Sequence, residues 1–276
     1  MWARGHVCGR RCDMTRIGAA LDLRFGKDTL QFIDFLYSNG FDHIEIRKDN
    51  DYVYGTVDSA LLGQVLSLYD FTISYHAPSR EFNLGSVNEQ VRASCVAQVI
   101  RIGEYLQEVG SKAWVNIHAG HIPEQYHERA IAKAEENMKL SLDEIAAAYE
   151  GLDTGLLVEN DSFEKHITKF GLYPEAIRDI LNRHPGFGMT FDIGHANHSG
   201  IPPERFIELM GCRIEAAHLH DNNGTHDEHL APGRGSVDFE GVLGKLDGCT
   251  TYVLEMKTLP DVISGREFIE SLGLMK

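Results

Sequence analysis

No apolar run in this chain is long enough to cross a bilayer as a helix, which argues against a membrane anchor or a membrane partner. Cationic charge is scarce: 26 Lys and Arg stand against 41 Asp and Glu, for a formal net charge of −15. That balance disfavours a general polyanion-binding surface, because non-specific nucleic-acid affinity comes from cations neutralising phosphates. A bound metal ion could still reverse the field inside a cleft. The five cysteines, Cys8, Cys12, Cys95, Cys212 and Cys249, are odd in number and scattered. They read as reduced thiols of a cytoplasmic protein. His6, Cys8 and Cys12 lack the second donor pair of a zinc knuckle, and residues 1–15 read as a disordered leader ahead of a start at Met14, without the apolar core of a signal peptide. There is no linker either. The longest irregular stretch, 222–237, lies too near the C-terminus to divide two domains, so one domain over 16–276 is expected.

What is present is a repeated alternation. Eight apolar, β-branched runs are each followed by a segment of helical period: 16–23, 41–47, 71–77, 113–119, 155–161, 188–196, 214–221 and 251–257. Helices are expected over 87–110, 174–184 and 202–211, with Pro174 and Pro202 in first turns and Gly110 and Gly211 at C-caps. Eight βα units in this length predict a (β/α)8 TIM barrel of the α/β class. An open doubly wound sheet would need a phosphate-binding glycine turn after the first strand, and LDLRFGKDT has neither G-x-G-x-x-G nor a Walker lysine.

The strand ends carry potential metal donors. In order they are Glu45, His76, His118, Glu159, then Asp192 with His195, then His218, His220 and Asp221, and finally Glu255. In a barrel these ends converge on one face. A single strand-end His or Glu is commonly a hydrogen-bonded wall residue. Donors at the ends of seven consecutive strands are better explained by an ion, because buried unpaired carboxylates and imidazoles are costly.

The segments YHAP (75–78), NIHAG (116–120), VEN (158–160), FDIGHA (191–196), HLHDN (218–222), Asp227-x-His229 followed by PGRG, and LEM (254–256) resemble the xylose-isomerase-like barrels. That superfamily contains sugar isomerases and epimerases as well as endonuclease IV. The resemblance covers nearly all of the chain from Arg16 onward. In the sugar branch it implies one divalent ion held by Glu159, Asp192, His218 and Glu255. In the endonuclease branch it implies up to three zinc ions, with His76, His118, His195, Asp227 and His229 as the additional ligands. His220, Asp221 and His226 match no ligand position and read as supporting or solvent-facing groups. The implied ion is Zn, Mn, Co, Fe or Mg.

The resemblance implies a metal-dependent sugar or sugar-phosphate isomerase or epimerase. Glu159 and Glu255 would then be general acid and base, and His195 a hydrogen-bond partner of a substrate oxygen. Glu45 and Asn160 would be substrate contacts and Arg234 an anion anchor, with Arg47 also available for that role. Expected partners are a small sugar or sugar phosphate, with homo-oligomerisation left open. Two alternatives stand beside this reading: an endonuclease IV-like zinc phosphodiesterase acting at abasic DNA, and a non-catalytic barrel that binds a metal or metabolite. The endonuclease carries a proline after its fourth-strand histidine and an apolar pair that enters the DNA stack. This chain has Ala119 at the first place, and Ser79 and Arg80 near the second. Small polar and cationic side chains do not wedge between base pairs.

Overall fold

A computed structural model describes residues 15–78, 80–246, 249 and 251–274. Residues 1–14 of the expected leader, with His6, Cys8 and Cys12, lie outside the described residues, as does Ser79. Eight parallel strands close on themselves: β1 (Arg16–Leu21), β2 (His43–Arg47), β3 (Thr72–His76), β4 (Ala113–His118), β5 (Thr154–Glu159), β6 (Gly188–Asp192), β7 (Ile214–Leu219) and β8 (Thr251–Leu254). Each pairs with its sequence neighbours, and β1 closes the ring on β8 with Arg16 opposite Thr251. The expected (β/α)8 TIM barrel is the observed fold.

Both strand faces are covered, and they differ in chemistry. Alternate residues such as Ile44, Ile46, Ile73, Val115, Ile117, Val158, Met189 and Phe191 belong to the large apolar core shared with the helices. A separate small cluster, Trp114, Leu157 and Ala216, occupies part of the other face. Polar residues fill much of the rest of that inner face: His43, Glu45, Ser74, His76, Asn116, Glu159, Thr190, Asp192 and His218 are all buried. The barrel's period of two thus aims apolar groups outward at the helices and donors inward at the mouth.

One irregularity sets the face of a key residue. The β6–β7 ladder pairs Met189 with Ile214 but Thr190 with Ala216, so Glu215 is an extra residue. An inserted residue reverses the parity of everything after it. Ile214 therefore joins the outer core while Ala216 and His218 face the interior.

The helices end largely where the sequence places them. Helix Glu89–Val109 stops at Gly110, whose φ of 73° is the left-handed cap conformation. Helix Pro174–Arg183 begins with its proline. In helix Pro203–Met210, Pro202 is the N-cap and Pro203 takes the first turn. The expected strand 188–196 is corrected: it stops at Asp192, and Ile193–His198 is a short helix. The Asp192 side chain accepts from the His195 backbone N–H at 2.6 Å, so the carboxylate that ends the strand starts the helix. His121–Pro123 and Ile167–Lys169 form an unexpected antiparallel pair beside the mouth. Cys95 and Cys249 are buried and, like Cys212, form no disulfide. Among the described residues no helix is long and apolar enough to cross a membrane.

Candidate metal centre

Nδ1 of His218 is the focus of the mouth. Oε1 of Glu159 lies 3.3 Å from it, Oε1 of Glu255 3.4 Å and Oδ2 of Asp192 3.9 Å. None of these four residues is more than 4% exposed. Three desolvated carboxylates around one imidazole repel one another unless positive charge lies among them. Among the described residues His218 Nδ1 is a buried atom without a hydrogen-bond partner, Glu255 Oε1 is met by the Arg47 guanidinium, and donors from Glu159, Asp192 and His218 all lie within 4.8 Å of one another. An orphaned ring nitrogen facing inward among carboxylates fits a divalent cation.

The protonation states point the same way. Burial disfavours the charged His218 ring, but the charges of Glu45, Glu159 and Glu255 outweigh it and raise the pKa well above the usual value. Burial also works against ionised Glu159, yet His218 and His118 hold that carboxyl well below its ordinary range. Glu255 is lowered against the same burial penalty, first by Arg47 and then by His218. Protons supply here the positive charge that an ion would otherwise bring.

Further donors extend the cluster on two sides. His76 Nε2 and His118 Nε2 lie 3.2 and 3.7 Å from Glu159 Oε2. On the other side, Asp227 is approached by His195 Nε2 at 3.4 Å, His229 Nε2 at 3.5 Å and His220 Nδ1 at 3.7 Å. Three of these rings have their tautomer set by a backbone carbonyl, which can only accept. His76 Nδ1 donates to Ala77 O at 2.6 Å, His195 Nδ1 to Asn160 O at 2.8 Å and His229 Nδ1 to Glu255 O at 2.7 Å. That leaves Nε2 of each ring as the nitrogen facing a carboxylate, the one ligation would use.

The structure brings together all nine positions singled out in the sequence, together with His220. That residue is fully buried, with Nε2 3.1 Å from Asp192 Oδ1 and its ring stacked 3.9 Å from His229. Gly194 makes room for it, since a Cβ there would meet the His220 ring at 2.1 Å. The signal for His220 is its spacing: two residues beyond His218, it shares that residue's parity. His226 is exposed.

The other singled-out residues support the cluster. Asn160 is fully buried and clamps Asp192 through two backbone bonds: it donates to Asp192 O and accepts from Asp192 N, both at 2.8 Å. Asn116 donates to Glu159 Oε2. Glu45 is 1% exposed and faces Nε2 of His218 at 3.2 Å. Asp221 accepts from the backbone N–H groups of Asn222, Gly233, Gly235 and Val237, which anchors the loop carrying Asp227 and His229. Arg234 is exposed and ion-paired with Asp261 at 2.6 Å. A cavity of ≈ 180 Å³ opens beside the cluster, lined among others by Phe82, His118, His121, Asp161, Lys169 and His195.

Residues 33–272 match the family described as the xylose isomerase-like TIM barrel. A protein of Methanocaldococcus jannaschii, the uncharacterised MJ1311, is 31% identical over 268 residues, covering 91% of this chain and 89% of its own. Among solved structures, a D-tagatose 3-epimerase-like protein is 28% identical with a TM-score of 0.79, covering 93% of this chain and 96% of that one. A D-psicose 3-epimerase from Clostridium cellulolyticum H10, solved with D-tagatose, shares the fold at a TM-score of 0.73 and 15% identity, covering 93% and 99%. The chain belongs to the xylose isomerase-like TIM barrel family.

Proposed function

We propose that this protein is a divalent-metal-dependent sugar or sugar-phosphate isomerase or epimerase. The observation that carries the reading is the pair of buried carboxylates, Glu159 and Glu255, that approach Nδ1 of His218 from β5 and from the end of β8, at 3.3 and 3.4 Å. Both are held anionic, so both can accept a proton. The similarity to a D-tagatose 3-epimerase-like protein supports a sugar as substrate.

Glu159, Asp192, His218 and Glu255 would hold the ion. When bound, it would polarise the sugar carbonyl and acidify the neighbouring C–H. One glutamate would take the proton from carbon and the other, after taking up a proton from solvent, would deliver it from the opposite side, a division of roles that two separately oriented carboxylates allow. His195, with Nδ1 committed to Asn160 O, would meet a substrate oxygen through Nε2 at the cavity wall. The clamp from Asn160 and the bond from Asn116 would keep Asp192 and Glu159 from swinging as charge shifts.

A second reading has its own observation. The donors around Glu159 and Asp227 exceed what one ion needs, which suits a zinc phosphodiesterase acting at abasic DNA. Such an enzyme must displace a nucleotide, at a cost of a few kcal/mol, about 2–4, repaid by phosphate contacts and by apolar wedges. Arg80 is exposed and cationic where a wedge is needed, and the net charge of −15 leaves few cations for phosphates.

The experiment that separates the readings runs an abasic-site duplex with zinc-loaded protein beside a panel of free and phosphorylated ketoses and aldoses with Mn or Co. Sugar conversion without incision is expected. Rapid incision with no sugar turnover would promote the nuclease, and neither activity would leave a metal- or metabolite-binding barrel.

A further inference from the structure

Behind the mouth, a line of buried polar side chains runs down the barrel interior. His218 Nε2 lies 3.2 Å from Glu45 Oε1 and 3.3 Å from Oε2. Ser74 Oγ is 3.0 Å from Glu45 Oε2, His43 Nε2 is 3.1 Å from Ser74 Oγ, and His43 Nδ1 is 2.9 Å from Thr72 Oγ1. His43, Glu45 and Ser74 are at most 1% exposed. The His43 ring is held flat on Trp114, with centroids 4.8 Å apart and planes 4° from parallel.

We infer that Glu45, backed by Ser74 and His43, is a positioning residue that fixes the proton of His218 on Nε2 and so presents Nδ1 as the lone pair for the ion. The direction of every bond follows from one charge. An ionised carboxylate only accepts, so both His218 Nε2–H and the Ser74 hydroxyl must donate to Glu45. With its hydrogen committed, Ser74 Oγ accepts from His43 Nε2–H. Burial pushes the His43 imidazole down to about 3, so the ring is neutral and carries one proton. Its Nδ1 is therefore an acceptor, and Thr72 donates to it. The two histidines at the ends of the line both hold their proton on Nε2 because one anion sits between them.

This arrangement also explains why His218 departs from its neighbours. His76, His195 and His229 have Nδ1 tied to a backbone carbonyl and present Nε2, whereas His218 has Nδ1 toward the carboxylates and Nε2 toward Glu45. Among the described residues no backbone group performs this for His218; a side-chain carboxylate on β2 does. The inference rests on the metal centre proposed above and is independent of which sugar that centre serves.

The line has a polarity that one substitution reverses. In Glu45→Gln the amide oxygen can still accept from His218 Nε2–H, but the amide nitrogen donates to Ser74. The Ser74 hydroxyl then turns to His43 Nε2, and the His43 proton moves to Nδ1. Loss of packing alone would not move a proton on His43.

The test reads imidazole tautomers by nitrogen NMR and zinc affinity by chelator competition on the intact chain. Wild type is expected to bind zinc through His218 Nδ1, with Nε2–H on both His218 and His43. Glu45→Gln should lower zinc affinity by roughly 10- to 100-fold, the range for partners that orient a ligating histidine, and switch His43 to Nδ1–H. Ser74→Ala removes the acceptor of His43 Nε2–H and should switch His43 while leaving His218 on Nε2–H. It carries the test if Glu45→Gln does not fold. Zinc bound through Nε2 of His218, wild-type affinity in Glu45→Gln, or an unchanged His43 in Ser74→Ala would each overturn the inference. A wild-type chain that bound no divalent ion would remove the metal centre and this inference together.

Discussion

Nη2 of Arg47 lies 2.6 Å from Oε1 of Glu255, one of the four carboxylate and imidazole groups around the expected ion. The Arg47 side chain is 20% exposed and that of Glu255 3%. The guanidinium holds the charge of Glu255 in place in the absence of an ion, and it shares the oxygen that faces His218.

Arg47→Met is therefore expected to destabilise the metal-free protein more than the loaded one. Breaking a buried pair costs about 3–5 kcal/mol, and the partial exposure of Arg47 places the loss near the low end. Calorimetric melting with a chelator and with excess Mn checks this. Equal losses in both forms would show that Arg47 acts only through packing.

Glu159→Gln and Glu255→Gln should each abolish turnover while circular dichroism and melting of the chelated protein show a retained barrel. Each amide keeps shape but loses both a ligand charge and a proton acceptor. Either variant retaining near-normal activity with the ion bound would remove that residue as acid or base.

Metal affinity should rise with pH. Burial opposes the charged His218 ring, but Glu45, Glu159 and Glu255 keep it protonated above its usual 6.5. Ligation must expel that proton. Titration calorimetry at pH 7 in buffers of different ionisation enthalpy should show at least one proton released per ion. The chelated fold has the opposite dependence on the histidine side. The His218 contribution is complete below about 6.5 and fades as pH rises through its raised pKa. The depressed carboxyls of Glu159 and Glu255 contribute above 4.5 and fade as pH falls. The chelated protein is expected to lose stability toward both extremes, with the ion restoring most at the alkaline end.

Asp221→Ala should release the loop over the mouth. Four backbone N–H groups lose a buried ionised acceptor, a loss of about 2–4 kcal/mol that falls mainly on residues 222–237. Hydrogen exchange in that segment should accelerate. Zinc stoichiometry at saturating zinc should fall by the ions that need Asp227 and His229, with the ion at Glu159, Asp192, His218 and Glu255 retained. Unchanged exchange over 222–237 would show that the loop is held by other contacts.

Much of this architecture is legible in the sequence because a barrel converts strand ends into neighbours. Periodicity alone places Glu159, Asp192 and His218 on one mouth. What it cannot give is which side of a ring faces inward, or which polar residue is consumed by the backbone. Asn160, beside Glu159 in VEN, reads as a substrate contact, yet its amide is taken up by Asp192. Glu45 reads as a pocket residue, yet its carboxylate faces His218 from below. Strand parity after Glu215 is hidden as well, because one extra residue in a ladder leaves no compositional trace. The pair His121–Pro123 and Ile167–Lys169 is too short for any period to announce it.

Asp192 joins two requirements that most sites keep apart. One oxygen starts helix Ile193–His198, and the same carboxylate faces the rings of His195, His218 and His220. The backbone cannot leave this geometry without disturbing the charges, and the charges cannot be exchanged without unsettling the first turn. Drift at position 192 is thus penalised twice. Changes of substrate range would come more readily from the cavity wall around His121 and Lys169, where a new side chain alters shape without touching the residues around the ion.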